Sequence, residues 1–320
     1  MTRFVLKRLV SAIVVMFFVS MITFIVLKAI PGNPAELVLG TEASPQQLAL
    51  LEESMGLNEP LLVQYFNWIG GLFTGNWGQS YVFGEDVLTL IVQRLPVTFS
   101  ITIFSMAISI AISLILGILS ALHPHGIIDS ISRTIVQIAS SVPAFWSGMI
   151  LLIVFASMLN LFPVSGYVSI NRGFIYFINS ITLPSICMAI GECGILIRQF
   201  RSSMLSALNQ DYMIASKVKG LPYWMRVVKY ALRSALITPI TVIGNQFAKL
   251  FGGTVIVENI FALPGIGRLL LTSVERRDIQ LLQGIVIFIC FMVVLVNFIT
   301  EVVVMMVNPI IRLGLEGERE

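Results

Sequence analysis

The sequence predicts an all-α membrane protein with six transmembrane helices. Three observations carry that expectation. Of the 320 residues, 57% are hydrophobic and only 12% are charged, whereas a soluble domain carries about 25% charged residues. Mean hydropathy is +0.92. Six apolar runs approach the roughly 20 residues that a helix needs to cross a hydrocarbon core about 30 Å thick. This composition excludes a disordered chain, a nucleic-acid-binding protein and an ordinary soluble enzyme.

The runs cover residues 9–27, 97–122, 134–159, 181–197, 235–257 and 281–307. The first follows Arg3, Lys7 and Arg8, as a signal peptide would. Its apolar stretch outlasts the roughly 7–15 residues of a signal core. It ends in Lys28-Ala29-Ile30-Pro31 without a small-x-small cleavage site, so a retained span is expected. Glu192 interrupts the fourth run, and Pro184 near its start marks either a bend or the first turn.

Basic residues set the orientation. With both termini in the cytoplasm, 13 of the 20 Lys and Arg residues fall inside, 6 fall outside, and Lys249 lies within a span. The stretch from Glu36 to Asp86 carries seven acids and no Lys or Arg. Both termini are therefore expected in the cytoplasm.

Three segments between spans are too long for tight turns. In the first, 28–96, Ser44 is positioned to cap a helix whose first residue is Pro45. Tyr65, Trp68, Phe73, Trp77 and Tyr81 follow and suit the headgroup boundary. Two readings stand: a small external cap on the span ends, or a docking surface for an external partner. The second segment, 198–233, holds seven basic residues and a helix stop at Gly220-Leu221-Pro222. Charge alone describes a loop resting on anionic lipid. The small residues Ala215, Ser216 and Gly220 describe close packing against another protein. The third, 258–280, contains Phe261-Ala262-Leu263-Pro264-Gly265-Ile266-Gly267. Irregular backbone near membrane depth must be surrounded by protein or line a cavity, so this loop is a candidate pathway wall.

Catalytic signatures are missing. The sequence has no Gly-Lys dipeptide, hence no Walker A loop, and no HExxH, GxSxG or GxGxxG. Cys187, Cys193 and Cys290 form no CxxC, and His123 and His125 are the only histidines, so no metal site is expected on this chain. Ionisable groups within spans are functional candidates by default. Three readings of Glu192 and Lys249 stay open: a structural ion pair, a solvated cavity lining, and a direct substrate contact. Glu301 is the other acid within a span. A stand-alone proton-coupled carrier would use such groups and is the rival class. Ser141, Asn245 and Gln246 are candidate pathway residues, although such side chains also bond across helices.

Asp211-Tyr212-Met213-Ile214-Ala215-Ser216-Lys217-Val218-Lys219-Gly220-Leu221, followed by Tyr230-Ala231-Leu232-Arg233-Ser234-Ala235, resembles the cytoplasmic "EAA" loop of bacterial ABC importer permeases, dipeptide/oligopeptide/nickel branch. Ile214 stands where the family has an acid, Ser216 where it has its second alanine, and Tyr230 where a histidine is common. Pro31-Gly32-Asn33-Pro34 is similar to the branch's Pro-Gly-Asp-Pro motif. Met55-Gly56-Leu57-Asn58-Glu59-Pro60 and Gly75-Asn76-Trp77-Gly78 resemble its external segment. Gly252-Gly253-Thr254-Val255-Ile256-Val257-Glu258-Asn259-Ile260-Phe261, then Pro264-Gly265-Ile266-Gly267, resemble its most specific stretch.

The resemblance covers residues 3 to 313 and implies a type I ABC importer permease fold and a transport subunit rather than an enzyme. It implies a bacterial inner-membrane protein with a second, homologous but different permease chain as partner. It also implies two ATPases that bind ATP and Mg, and an external substrate-binding protein that delivers a peptide, or nickel or a metal chelate. On this reading 1–29 is the cytoplasmic N-terminus and first span, and 30–96 the external segment. A five-helix core follows at 97–308, and 309–320 is a tail. The core carries the coupling loop 198–233, with Asp211, Tyr212, Ala215, Ser216, Lys217, Lys219, Gly220, Leu221 and Arg233 as its contacts. Glu258, Asn259, Phe261, Pro264, Gly265 and Gly267 would form the external gate.

Overall fold

The computed structural model describes residues 2–29, 34–39 and 43–307. The motif at 31–33 and the tail at 309–320 lie outside them. Helix α1 (Thr2–Lys28) is the first span. Two short helices follow, α2 (Pro34–Leu39) and α3 (Pro45–Ser54). Ser44 caps α3 as expected: its Oγ accepts the Gln47 N–H at 3.3 Å, and Gln47 Oε1 accepts the Ser44 N–H at 3.1 Å. Helix α4 (Leu61–Thr74) stops at Gly75, which takes φ +84°.

Helix α5 (Val87–Leu122) is the second span and passes through Pro96 without stopping. The third run behaves differently from expectation. It forms α6 (Ile127–Ser141) and α7 (Ala144–Met158), which meet at 102°. Val142 is extended, ψ 120°, because the ring of Pro143 clashes with a helical residue before it. A straight helix over 134–159 is therefore excluded.

Helix α8 (Phe174–Leu208) starts well before Pro184, so that proline neither opens nor ends it. Arg198 and Arg201 belong to α8, and the loop expected from residue 198 begins only at Asn209. Then come α9 (Asp211–Val218), α10 (Tyr223–Ala235, with π-helical turns at Arg226–Ala231) and α11 (Ile237–Gly253), the last two bent by 45°. The chain continues through α12 (Val255–Ile260), α13 (Ile266–Glu275) and α14 (Ile279–Val307). Among the described residues four helices are long and apolar enough to cross a membrane, and counting each bent pair as one span gives six.

Two compact units contain these helices. The first comprises Met1–Pro96 and Gly265–Met292. Its core joins Val87, Leu90 and Ile91 of α5 to Ile266 and Leu269 of α13 and to Leu281 and Ile285 of α14. Asp278 stitches the unit further. Its Oδ1 accepts the Leu281 N–H at 3.1 Å, and its Oδ2 accepts the Ser80 hydroxyl at 2.5 Å and the Val82 N–H at 3.1 Å.

The second unit comprises Val97–Pro264 and Val293–Glu320, and α8 runs through its interior. Ser109 and Ser113 of α5 donate to the carbonyls of Ala189 and Cys193. At Gly117 an added Cβ would lie 2.6 Å from that of Phe200. Small residues thus let the α5 and α8 backbones approach closely, as helix pairs do where no hydrophobic effect drives them together.

Candidate functional site

Helix α9 is a two-faced element. Met213 and Ser216 are buried, and Met213 packs with Ala121 of α5, Met204 and Ala207 of α8, and Val227, Ala231 and Ala235 of α10. The remaining positions face outward: Asp211, Tyr212, Ile214, Ala215, Lys217, Val218, Lys219 and Gly220 are exposed, as is Arg233 of α10, while Leu221 is half-buried. Val218 keeps 83% of its surface and Trp224 keeps 65%, so this surface is both basic and apolar. Ser216, expected among the contacts, instead turns inward and donates to the Met213 carbonyl at 2.7 Å. Gly220 takes φ +73° and ends the helix, and a Cβ there would meet no atom within 4 Å.

A buried carboxylate fixes the base of this region. Asp129 of α6 is fully buried. Arg201 of α8 donates to it through Nε (2.6 Å) and Nη2 (3.0 Å). Ser120 of α5 donates to Oδ1 at 3.0 Å and the His125 N–H to Oδ2 at 3.0 Å. One side chain thereby ties α5, the turn after it, α6 and α8. Sequence reading passed over Asp129. Its signal was a lone acid in the first turn of an apolar helix, four residues before Arg133.

Among the intramembrane candidates, the structure joins Glu192 of α8 to Gln246 of α11, whose Nε2 donates to Oε2 at 2.7 Å, both side chains being buried. Asn245 and Lys249 lie exposed one turn apart on α11. Ser141 is exposed and donates to the Gln137 carbonyl of its own helix at 2.8 Å. Glu301 is half-buried on α14.

Glu258 of α12 is fully buried and accepts the Thr98 hydroxyl at 2.6 Å. Its backbone carbonyl accepts the Leu263 N–H at 2.8 Å, and Ala262 takes φ +50°. Asn259 is exposed, Phe261 belongs to the core of the second unit, and Pro264 is half-buried. Gly265 and Gly267 are buried at the start of α13. Most of the loop expected over 258–280 is therefore helical. The irregular backbone is confined to 261–265 and 276–278, and Asp278, overlooked in the sequence, accepts three hydrogen bonds there.

Long apolar helices, two of the spans broken, and buried polar pairs between helices define a multi-pass membrane protein. The family described as binding-protein-dependent transport system inner membrane component matches residues 113–313. Its N-terminal companion matches residues 1–102. A Brucella abortus (strain 2308) protein named for a peptide transport system permease is 35% identical over 312 residues, 98% of this chain and 99% of its own. A Sinorhizobium fredii protein named for a peptide ABC transporter permease is 36% identical over 309 residues, covering 97% and 99%. The nickel import system permease protein NikB of Staphylococcus aureus (strain USA300) is 34% identical over 313 residues, covering 97% and 92%. A solved chain of the MetNI methionine ABC transporter superposes with a TM-score of 0.54 at 19% identity, covering 69% of this chain and 97% of that one. At that identity the likeness speaks for the fold alone.

The chain belongs to the binding-protein-dependent inner-membrane component family and is a permease subunit of an ABC importer. Such systems work with ATP-hydrolysing and substrate-binding components, so the stand-alone proton-coupled carrier falls away.

Proposed function

We propose that the chain forms half of the translocation pathway for di- or oligopeptides, and that two cytoplasmic ATPases carrying ATP and Mg drive it through α9 and the turn after it. One observation carries this reading. The Met213 face of α9 is anchored in packed side chains, while Tyr212, Ile214, Val218 and Trp224 are exposed on a basic surface. An ATPase groove would cover those apolar groups, and Lys217 and Lys219 would set its orientation. Motion of α9 would pass through its packed face to α5 and α8, which would rock as rigid bodies.

The partners complete the machine. A second, homologous but different permease supplies the other half. The Lys and Arg placement supports both termini in the cytoplasm. A substrate-binding protein delivers cargo to the external segment at 30–96, and the end of α12 with the turn after it gates entry to the 97–308 core. The peptide reading draws on the Brucella and Sinorhizobium relatives, and the nickel reading on NikB.

Reconstitution of the chain with its partner permease, ATPases and binding protein tests the proposal. Gly220→Trp adds a Cβ that meets no atom within 4 Å, and strain from the left-handed backbone is about 1–2 kcal/mol. The variant should insert normally and lose stimulated hydrolysis and uptake together. Uptake coupled to hydrolysis at the wild-type rate would refute the docking assignment. Calorimetry of the binding protein against peptides and nickel chelates decides the cargo.

A further inference from the structure

The first unit holds a cavity of about 310 Å³ beside the carboxyl end of the first span. Phe24 and Lys28 of α1, Asn67 and Trp68 of α4, Trp77, and Gln283 of α14 line it. Three observations identify its occupant.

The first is depth. Lys28 ends a helix whose stretch from Leu6 is long and apolar enough to cross the bilayer, which sets its ammonium at headgroup level. Tyr65 of α4 meets Ser20 of α1, hydroxyl to hydroxyl at 2.8 Å, both buried. Ser20 lies eight residues before Lys28, about 12 Å farther into the membrane at the helical rise. Phe24 between them stacks on Trp68, ring centroids 5.9 Å apart. Helix α4 therefore runs alongside the lipid leaflet rather than above it.

The second is apolar exposure. Leu62, Phe66 and Phe73 on α4 keep 73%, 65% and 89% of their surface, and Ile22, Ile25 and Val26 on α1 keep more than half of theirs. At this depth acyl chains are the medium that covers such groups.

The third is the chemistry of the lining. It offers an ammonium, two indole N–H groups, five side-chain amides and the Tyr81 phenol, and no carboxylate among the described lining residues. The surrounding segment from Glu36 to Asp86 carries seven acids. Asp278 beside Tyr81 is already engaged by Ser80, Val82 and Leu281, and a cation with donors on a lining without a carboxylate selects an anion rich in acceptor oxygens.

We propose that this cavity binds the phosphodiester of a glycerophospholipid, with Lys28 as its counter-charge and the acyl chains lying along the exposed faces of α1 and α4. The lipid joins α4 to the first span, which makes it a resident component of the transporter. The proposal rests on the position of α1 in the bilayer and is independent of cargo and of the ATPases.

Native mass spectrometry of the delipidated transporter, titrated with phosphatidylglycerol, tests it. One adduct should persist at concentrations where the rest are stripped. Lys28→Gln should weaken it about fivefold, the worth of one basic residue at a headgroup. Asn67→Trp should fill the cavity and abolish the adduct, and Lys28→Arg should retain it. Glycerol 3-phosphate, which has no chains, should not compete. Equal midpoints in wild type and Lys28→Gln would overturn the proposal, even where Asn67→Trp fails to fold. Displacement by glycerol 3-phosphate would overturn it too, by showing a site for a soluble anion.

Discussion

Arg201 closes a two-bonded fork on Asp129, Nε to Oδ1 at 2.6 Å and Nη2 to Oδ2 at 3.0 Å, across 72 residues of sequence. The carboxylate is fully buried, whereas the arginine keeps a quarter of its side chain exposed. Removing the acid leaves a partly buried cation and the His125 N–H without their acceptor. Asp129→Ala should cost about 2–3 kcal/mol, below the range for fully enclosed pairs because Arg201 can reach water. Thermal unfolding in detergent measures the loss. The double variant with Arg201→Gln should recover part of it, and strict additivity would show that the two residues do not act on each other.

The Thr98 hydroxyl reaches Glu258 in a site that excludes solvent from both. Thr98→Val keeps the shape and removes the donor, so it should destabilise by about 1–3 kcal/mol. Thr98→Ser should restore the bond and most of the stability. Comparison of the two unfolding midpoints separates the hydrogen bond from packing.

Gly244 of α11 lies against Thr300 of α14, where an added Cβ would come within 2.6 Å of the threonine Cβ. Gly244→Ala should therefore overpack the pair and cost about 1–3 kcal/mol. Thr300→Gly in the same chain should relieve most of that penalty. An unchanged unfolding midpoint in Gly244→Ala would show that the helices separate freely there.

Tyr81 titrates abnormally. Burial, and secondarily the nearby Asp278 carboxylate, push its phenol well above the usual 10.0. Above that pH the unfolded chain releases this proton while the folded chain keeps it. The folded state then binds more protons, and stability falls as pH rises past the ordinary tyrosine range. Tyr81→Phe should remove that part of the alkaline loss, seen as the difference between wild-type and variant unfolding curves. Absorbance titration should show one tyrosine of the seven ionising last in wild type only.

The spans were legible because a bilayer imposes length and apolarity on any helix that crosses it. The break in the third span was not inferred, although Pro143 was visible, because hydropathy counts residues and is blind to direction. The coupling region was found through its residue pattern, but the inward turn of Ser216 depends on how α9 is rolled against α5 and α8. Gln246 and Glu192 were both candidates, but their hydrogen bond was not among the readings that charge and depth left open for Glu192. The pairing of Asp129 with Arg201 escaped notice because a contact across 72 residues leaves no periodic trace.

The corner at Val142-Pro143 has a thermodynamic corollary for how the subunit lives in lipid. Where α6 turns into α7 the ladder of main-chain bonds is interrupted, and proline brings no N–H to mend it. Phe145 and Trp146 stand exposed just beyond. The Val142 N–H still reaches the Ile138 carbonyl, and the Pro143 carbonyl accepts from Trp146 and Ser147. Hydrocarbon offers nothing to a peptide group left open, so the corner keeps its direction only while these bonds and its protein neighbours hold it.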